Sequence, residues 1–80
     1  MYFSVKKVEP QTDYSLILTF ENGERKRFDM KPYLDNGVFR KLRDAELFRA
    51  VRISFNTVAW DDDIDFDPEA LYEGGDPLAD

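Results

Sequence analysis

The sequence contains no cysteine and no histidine. Without cysteine there is no disulfide and no thiolate to hold a metal, so nothing covalent staples the fold. Without histidine the usual general base near neutral pH is missing, and with it the Ser-His-Asp and Cys-His arrangements and nearly all zinc ligand sets. Glycine is scarce as well. Gly23, Gly37, Gly74 and Gly75 each fall where a turn or a helix stop is expected, and none belongs to a glycine-rich phosphate loop. No apolar run approaches the roughly 20 residues of a membrane helix and there is no secretory hydrophobic region, so a cytoplasmic location is expected. The reactive groups left are carboxylates, lysine, tyrosine, serine and threonine. A glycosidase-like carboxylate pair needs a cleft that admits a sugar, and a core this small is expected to leave little room for one. A noncatalytic protein without a cofactor is the expectation.

What is present is enough for one small core. Of 80 residues, 42% are hydrophobic and 15% aromatic, against 35% charged. A chain of this length buries about 60–70% of its unfolded surface, so a single domain over residues 1–73 is expected, followed by a frayed acidic tail over 74–80. The strongest local pattern lies between Thr12 and Met30. Leu16, Leu18 and Phe20 recur every second residue, Asn22-Gly23 is the dipeptide best suited to a tight hairpin turn, and Arg25 to Phe28 returns as an edge strand. Met1 to Val8 reads as a preceding strand, with Phe3 and Val5 on one face, broken by Glu9 to Asp13. Pro32 ends regular pairing after Asp29. Val38, Phe39 and Leu42 then mark one turn of amphipathic helix, and Asp44 caps a second short helix over Ala45 to Ala50 that points Leu47 and Phe48 inward.

Val51 to Phe55 and Val58 to Trp60 form a second hairpin around Asn56-Thr57, with Trp60 closing the core. Asp67-Pro68-Glu69 starts a last helix, which Gly74-Gly75 stops. The expected fold class is α+β: a small antiparallel sheet built from hairpins, packed against two or three short helices in the order β-β-β-α-α-β-β-α.

Charge is divided along the chain. Residues 1–60 carry all 11 basic side chains against 8 acids, whereas residues 61–80 carry 9 acids and no base. Three surface chemistries follow. The leading one is docking of a basic protein by Asp61, Asp62, Asp63, Asp65, Asp67 and Glu69. The second is a basic face of Arg25, Arg27, Arg40, Lys41 and Arg43 that contacts nucleic acid, against the long-range repulsion of a net charge of −6. The third is weak divalent-cation or small-ligand binding at the acidic loop. Asp61, Asp63 and Asp65 match positions 1, 3 and 5 of an EF-hand loop, but Phe66 replaces the turn glycine and Tyr72 the bidentate glutamate.

One ordered set of features runs through the chain: Val8-x-Pro10, Asp13-Tyr14-x-Leu16-x-Leu18-x-Phe20-x-Asn22-Gly23-Glu24, Phe28-Asp29, Pro32-Tyr33-Leu34, Gly37-x-Phe39-x-x-Leu42, Phe48, Thr57-Val58-x-Trp60 and Asp65-x-x-Pro68-Glu69-x-Leu71-Tyr72. In their order and spacing, over about residues 3 to 73, the chain resembles the bacterial family catalogued as domain of unknown function 2442. The resemblance implies a curved antiparallel sheet packed on short helices. It also implies, for some members, a setting in a two-gene module, in which the chain would be an antitoxin-like or regulatory partner of a protein encoded by a neighbouring gene. Some relatives carry an added helix-turn-helix; with the sequence ending soon after Tyr72, none is expected here, nor is direct DNA contact by analogy. The resemblance supplies no catalytic residue. A monomer or weak dimer is expected.

Overall fold

The structure, a computed structural model, describes residues 3–61 and 64–78. Among the described residues seven short strands form two antiparallel sheets rather than the single one expected. The larger has the order β1 (Val5–Pro10), β2 (Ser15–Phe20), β3 (Arg25–Asp29), β7 (Asp76–Pro77). The smaller is β4 (Arg52–Ser54), β5 (Thr57–Trp60), β6 (Ile64–Asp65). Two 3₁₀ segments, Lys31–Tyr33 and Gly37–Arg43, and two helices, α1 (Ala45–Arg49) and α2 (Pro68–Gly74), complete the fold. No helix among the described residues is long and apolar enough to cross a membrane.

The central hairpin forms as the alternation requires. Leu16, Leu18 and Phe20 are fully buried, and Gly23 takes the positive φ of +91° that the turn needs. The first strand is displaced toward the C-terminus, running Val5–Pro10 instead of ending at Val8. Pro10 is tolerated because β1 is an edge strand and a missing N–H costs little there. The third strand, by contrast, is not an edge. Asp76 pairs with Arg27 and Pro77 with Lys26, and Leu78 N–H donates to the Arg25 carbonyl at 2.9 Å. Within the tail expected to fray, residues 76–78 bond to β3, and Ala79 and Asp80 lie outside the described residues.

Gly75 permits this return: a Cβ there would stand 2.9 Å from the Lys26 Cβ, so only glycine lets the chain pass so close. Lys26 is itself buried, its ammonium donating to the Tyr72 carbonyl and lying 3.7 Å from the Tyr72 ring centre. Tyr72 also packs edge-on against Phe20 at 5.0 Å and donates its hydroxyl to Glu24. That bond holds the Glu24 carboxyl below its ordinary range and raises the Tyr72 phenol.

The segment expected as an α-helical turn, Val38 to Leu42, winds as a 3₁₀ helix. With three residues per turn, Phe39 and Leu42 share a stripe and pack inward, and Val38 is left 57% exposed. Asp44 caps α1 as expected, accepting from Glu46 N–H at 3.0 Å. Phe48 is buried and its carbonyl accepts the Trp60 indole N–H at 3.0 Å, which ties α1 to the smaller sheet. Both sheets and α2 contribute to one core.

At the start of β2 the Asp13 carboxylate accepts from the Ser15 hydroxyl and, at 2.6 Å, from Arg27. The Ser15 bond and then Arg27 pull its pKa down to about 2 from the ordinary 3.8. A depressed carboxylate stabilises the fold above its unfolded pKa, and that contribution disappears as pH falls through its folded value. Stability measured by urea denaturation is therefore expected to drop between about pH 4 and about pH 2, with a smaller drop for Asp13→Asn. An equal drop in both proteins would remove Asp13 from the acid response.

Candidate functional site

The smaller sheet turns one face to the core, and its other face carries the exposed Arg52 and Asp65 beside Thr57 and Ala59, which are nearly covered. Val58, Trp60 and Ile64 are buried inward. Register places Arg52, Ala59 and Asp65 in one row across the three strands, with Ser54 opposite Thr57 in the next. Side chains of such rows share a face. Because Ala59 is the middle member, the outer face is hollow between an arginine and an aspartate. A partly open cleft of about 630 Å³ lies there, walled by the Phe55-Asn56 turn on one side and by Asp65 to Pro68 on the other. Little room for a cleft is expected in so small a core, and this recess takes nothing from the core because it lies on the outside of the sheet.

Buried neighbours set the direction of the acidic wall. Ile64 and Phe66 are buried, so Asp65 and Asp67, alternating with them, face outward. Phe66 is locked by ring contacts to Phe28, Tyr33 and Phe39 at 5.1–5.3 Å. Its carbonyl accepts the Thr57 hydroxyl at 2.6 Å and its N–H donates to the Val58 carbonyl at 3.3 Å. Asp67 caps α2, accepting from Glu69 N–H at 3.0 Å. Asp61 pairs with Arg52 at 3.1 Å. Of the expected acidic residues, Asp65 and Asp67 thus line the cleft, Asp61 reaches only its lining residue Arg52, and Glu69 sits in the first turn of α2. Asp62 and Asp63 lie outside the described residues. The expected acidic loop is partly a strand, since Ile64–Asp65 pairs with β5. Among the described residues no group of three potential ligands is placed to hold a metal ion.

The opposite wall holds a residue that sequence reasoning misses. Phe55 continues the alternation of Val51 and Ile53, which puts it inside a strand by pattern alone. The turn instead falls on Phe55-Asn56, one residue earlier than expected, because Ser54 pairs with Thr57 and Val5 N–H bonds the Asn56 carbonyl at 3.2 Å. Phe55 is left 100% exposed at φ +56°, a left-handed conformation that costs a bulky residue about 1–2 kcal/mol.

The expected basic face is divided. Arg25 and Arg27 lie on the outer face of the larger sheet, paired with Glu9 at 4.0 Å and Asp13 at 2.6 Å. Arg40, Lys41 and Arg43 sit on the second 3₁₀ segment, where Arg43 pairs with Asp35 and donates to the Leu34 carbonyl at 3.1 Å. A bulge between Val5 and Lys7 breaks the alternation of β1, and Lys6 and Lys7 border one shallow depression with Thr19 and Arg25. Alternation alone hides that grouping.

No curated protein and no solved structure matches the chain. A family model does, and it spans every strand described above: the chain belongs to the family described as protein of unknown function (DUF2442), whose model covers residues 5–77.

Proposed function

We propose that the chain is a noncatalytic interaction domain, a regulatory or antitoxin-like partner that receives a basic segment of another protein in the cleft of its smaller sheet. The observation that carries this reading is Phe55, a phenylalanine held fully in water in a strained backbone conformation at the mouth of the cleft. Strain that persists without compensating packing concentrates at sites of function, and exposed aromatic side chains are frequent anchors of interfaces. Asp65 and Asp67 on the facing wall supply the complementary charge. A catalytic reading has less support. The one buried ionisable side chain among the described residues is Lys26, which belongs to the larger sheet and lies outside the cleft. The nucleic-acid alternative also has less, since its arginines are spread over two elements and Arg25, Arg27 and Arg43 are paired with carboxylates.

The test is charge removal without loss of shape. In the double variant Asp65→Asn and Asp67→Asn, asparagine still caps α2. Affinity for a partner recovered by pull-down is expected to fall about fivefold at low salt, with a flatter dependence on salt concentration. Unchanged affinity across the salt titration would dismiss the acidic wall as the docking surface.

A further inference from the structure

We infer that the cleft reads an arginine side chain of its partner, whose guanidinium plane stacks on Phe55 while its N–H groups donate to Asp65 and Asp67. This rests on the docking reading above and adds the chemistry that is recognised. The Asp65 side chain has no hydrogen bond and no ion pair among the described residues, so its carboxylate is available while its backbone pairs with β5. Asp67 has Oδ1 on the Glu69 N–H. Two outward carboxylates at i and i+2 of an extended segment stand about 6.5–7 Å apart, within reach of one planar donor group and its neighbouring residue. The chain's own guanidinium, on Arg52, lies across Ala59 from Asp65 but is held by Asp61 at 3.1 Å, which keeps it from filling the hollow. Ala59 presents only a methyl group between them, leaving a flat floor.

Arginine fits this arrangement better than lysine. A guanidinium is planar, weakly hydrated and able to stack on a ring while its edge donates in plane. An ammonium is a compact, strongly hydrated point charge that loses water on entering. Phe55 shares no ring contact with another aromatic residue among the described ones, so its face is open to such a guest.

The test uses the full chain, isotope-labelled for amide NMR, titrated at low salt with two blocked tripeptides, glycyl-arginyl-glycine and glycyl-lysyl-glycine. The arginine peptide is expected to shift amides of residues 54–57 and 64–67 and to bind about fivefold more tightly than the lysine peptide. Phe55→Asn, which suits the same turn, is expected to erase that preference and leave weak binding of both. Equal affinities for the two peptides at these amides would overturn the arginine assignment and leave the docking reading standing. A preference that survives Phe55→Asn would overturn it too. Shifts centred on Lys6 to Glu9 or Arg25 to Arg27, with none at the cleft, would overturn both.

Discussion

Trp60→Ala is expected to destabilise the fold by about 3–5 kcal/mol, the range for truncating a large buried aromatic side chain. The effect has three sources. Trp60 is fully buried, so removal of the indole opens a cavity at the junction of the two sheets. Its ring stacks with Phe48 at 6.2 Å, and Phe48 in turn meets Tyr14 edge-on at 5.1 Å, so the loss propagates from the smaller sheet through α1 to the start of β2. The Phe48 carbonyl loses the indole N–H and keeps only backbone donors at the end of α1, a further cost of about 0.5–1.5 kcal/mol. An 80-residue domain holds on the order of 4–12 kcal/mol in all, so the variant is expected to be largely unfolded at 37 °C. Urea denaturation followed by far-ultraviolet circular dichroism measures this, since the only tryptophan is the residue removed. Trp60→Phe separates the two effects: it restores most of the volume but not the indole hydrogen bond to the Phe48 carbonyl. A loss below about 1 kcal/mol for Trp60→Ala would mean that the sheets do not share one core.

The parts of this molecule that sequence reasoning reaches are those whose physics is local. Leu16, Leu18 and Phe20 alternate beside an Asn-Gly turn, and both Asp44 and Asp67 cap helices that begin one residue later; such signals act within a few residues. Elements settled by distant partners stay hidden. Asp76-Pro77 resembles a breaker until β3, far earlier in the chain, offers its free edge. Ile64-Asp65-Phe66-Asp67 carries a period of two, but its charge density reads as loop, and the burial of Ile64 and Phe66 decides the matter. The same holds for the site. Asp65 and Asp67 are legible as acidic residues of one stretch, whereas Phe55 reads as strand because its alternation with Ile53 is unbroken in sequence. Register with Thr57 and the bond from Val5 to Asn56 move it into the turn, and no local pattern reports either.

Phe55→Asn is expected to raise stability and abolish docking together. Asparagine adopts the left-handed conformation more easily than phenylalanine, which relieves about 1 kcal/mol of strain at φ +56°. Nothing offsets that gain, because a fully exposed ring contributes no burial. The melting temperature is expected to rise by about 4–8 °C for each kcal/mol in a domain of this size. If the ring is the anchor of the interface, its removal costs about 2 kcal/mol or more of binding, roughly a thirtyfold loss of affinity. Most substitutions that weaken binding also weaken the fold or leave it unchanged, so opposite signs at one residue identify a side chain retained for its contacts with a partner. The decisive measurement is therefore made on one preparation of Phe55→Asn: its urea midpoint and its affinity for a basic protein recovered by pull-down on the unaltered chain, each beside that chain. A midpoint equal to or above that of the parent, with binding reduced at least about thirtyfold, is the expected pair of results; retained affinity, at whatever midpoint, would contradict the docking role of Phe55.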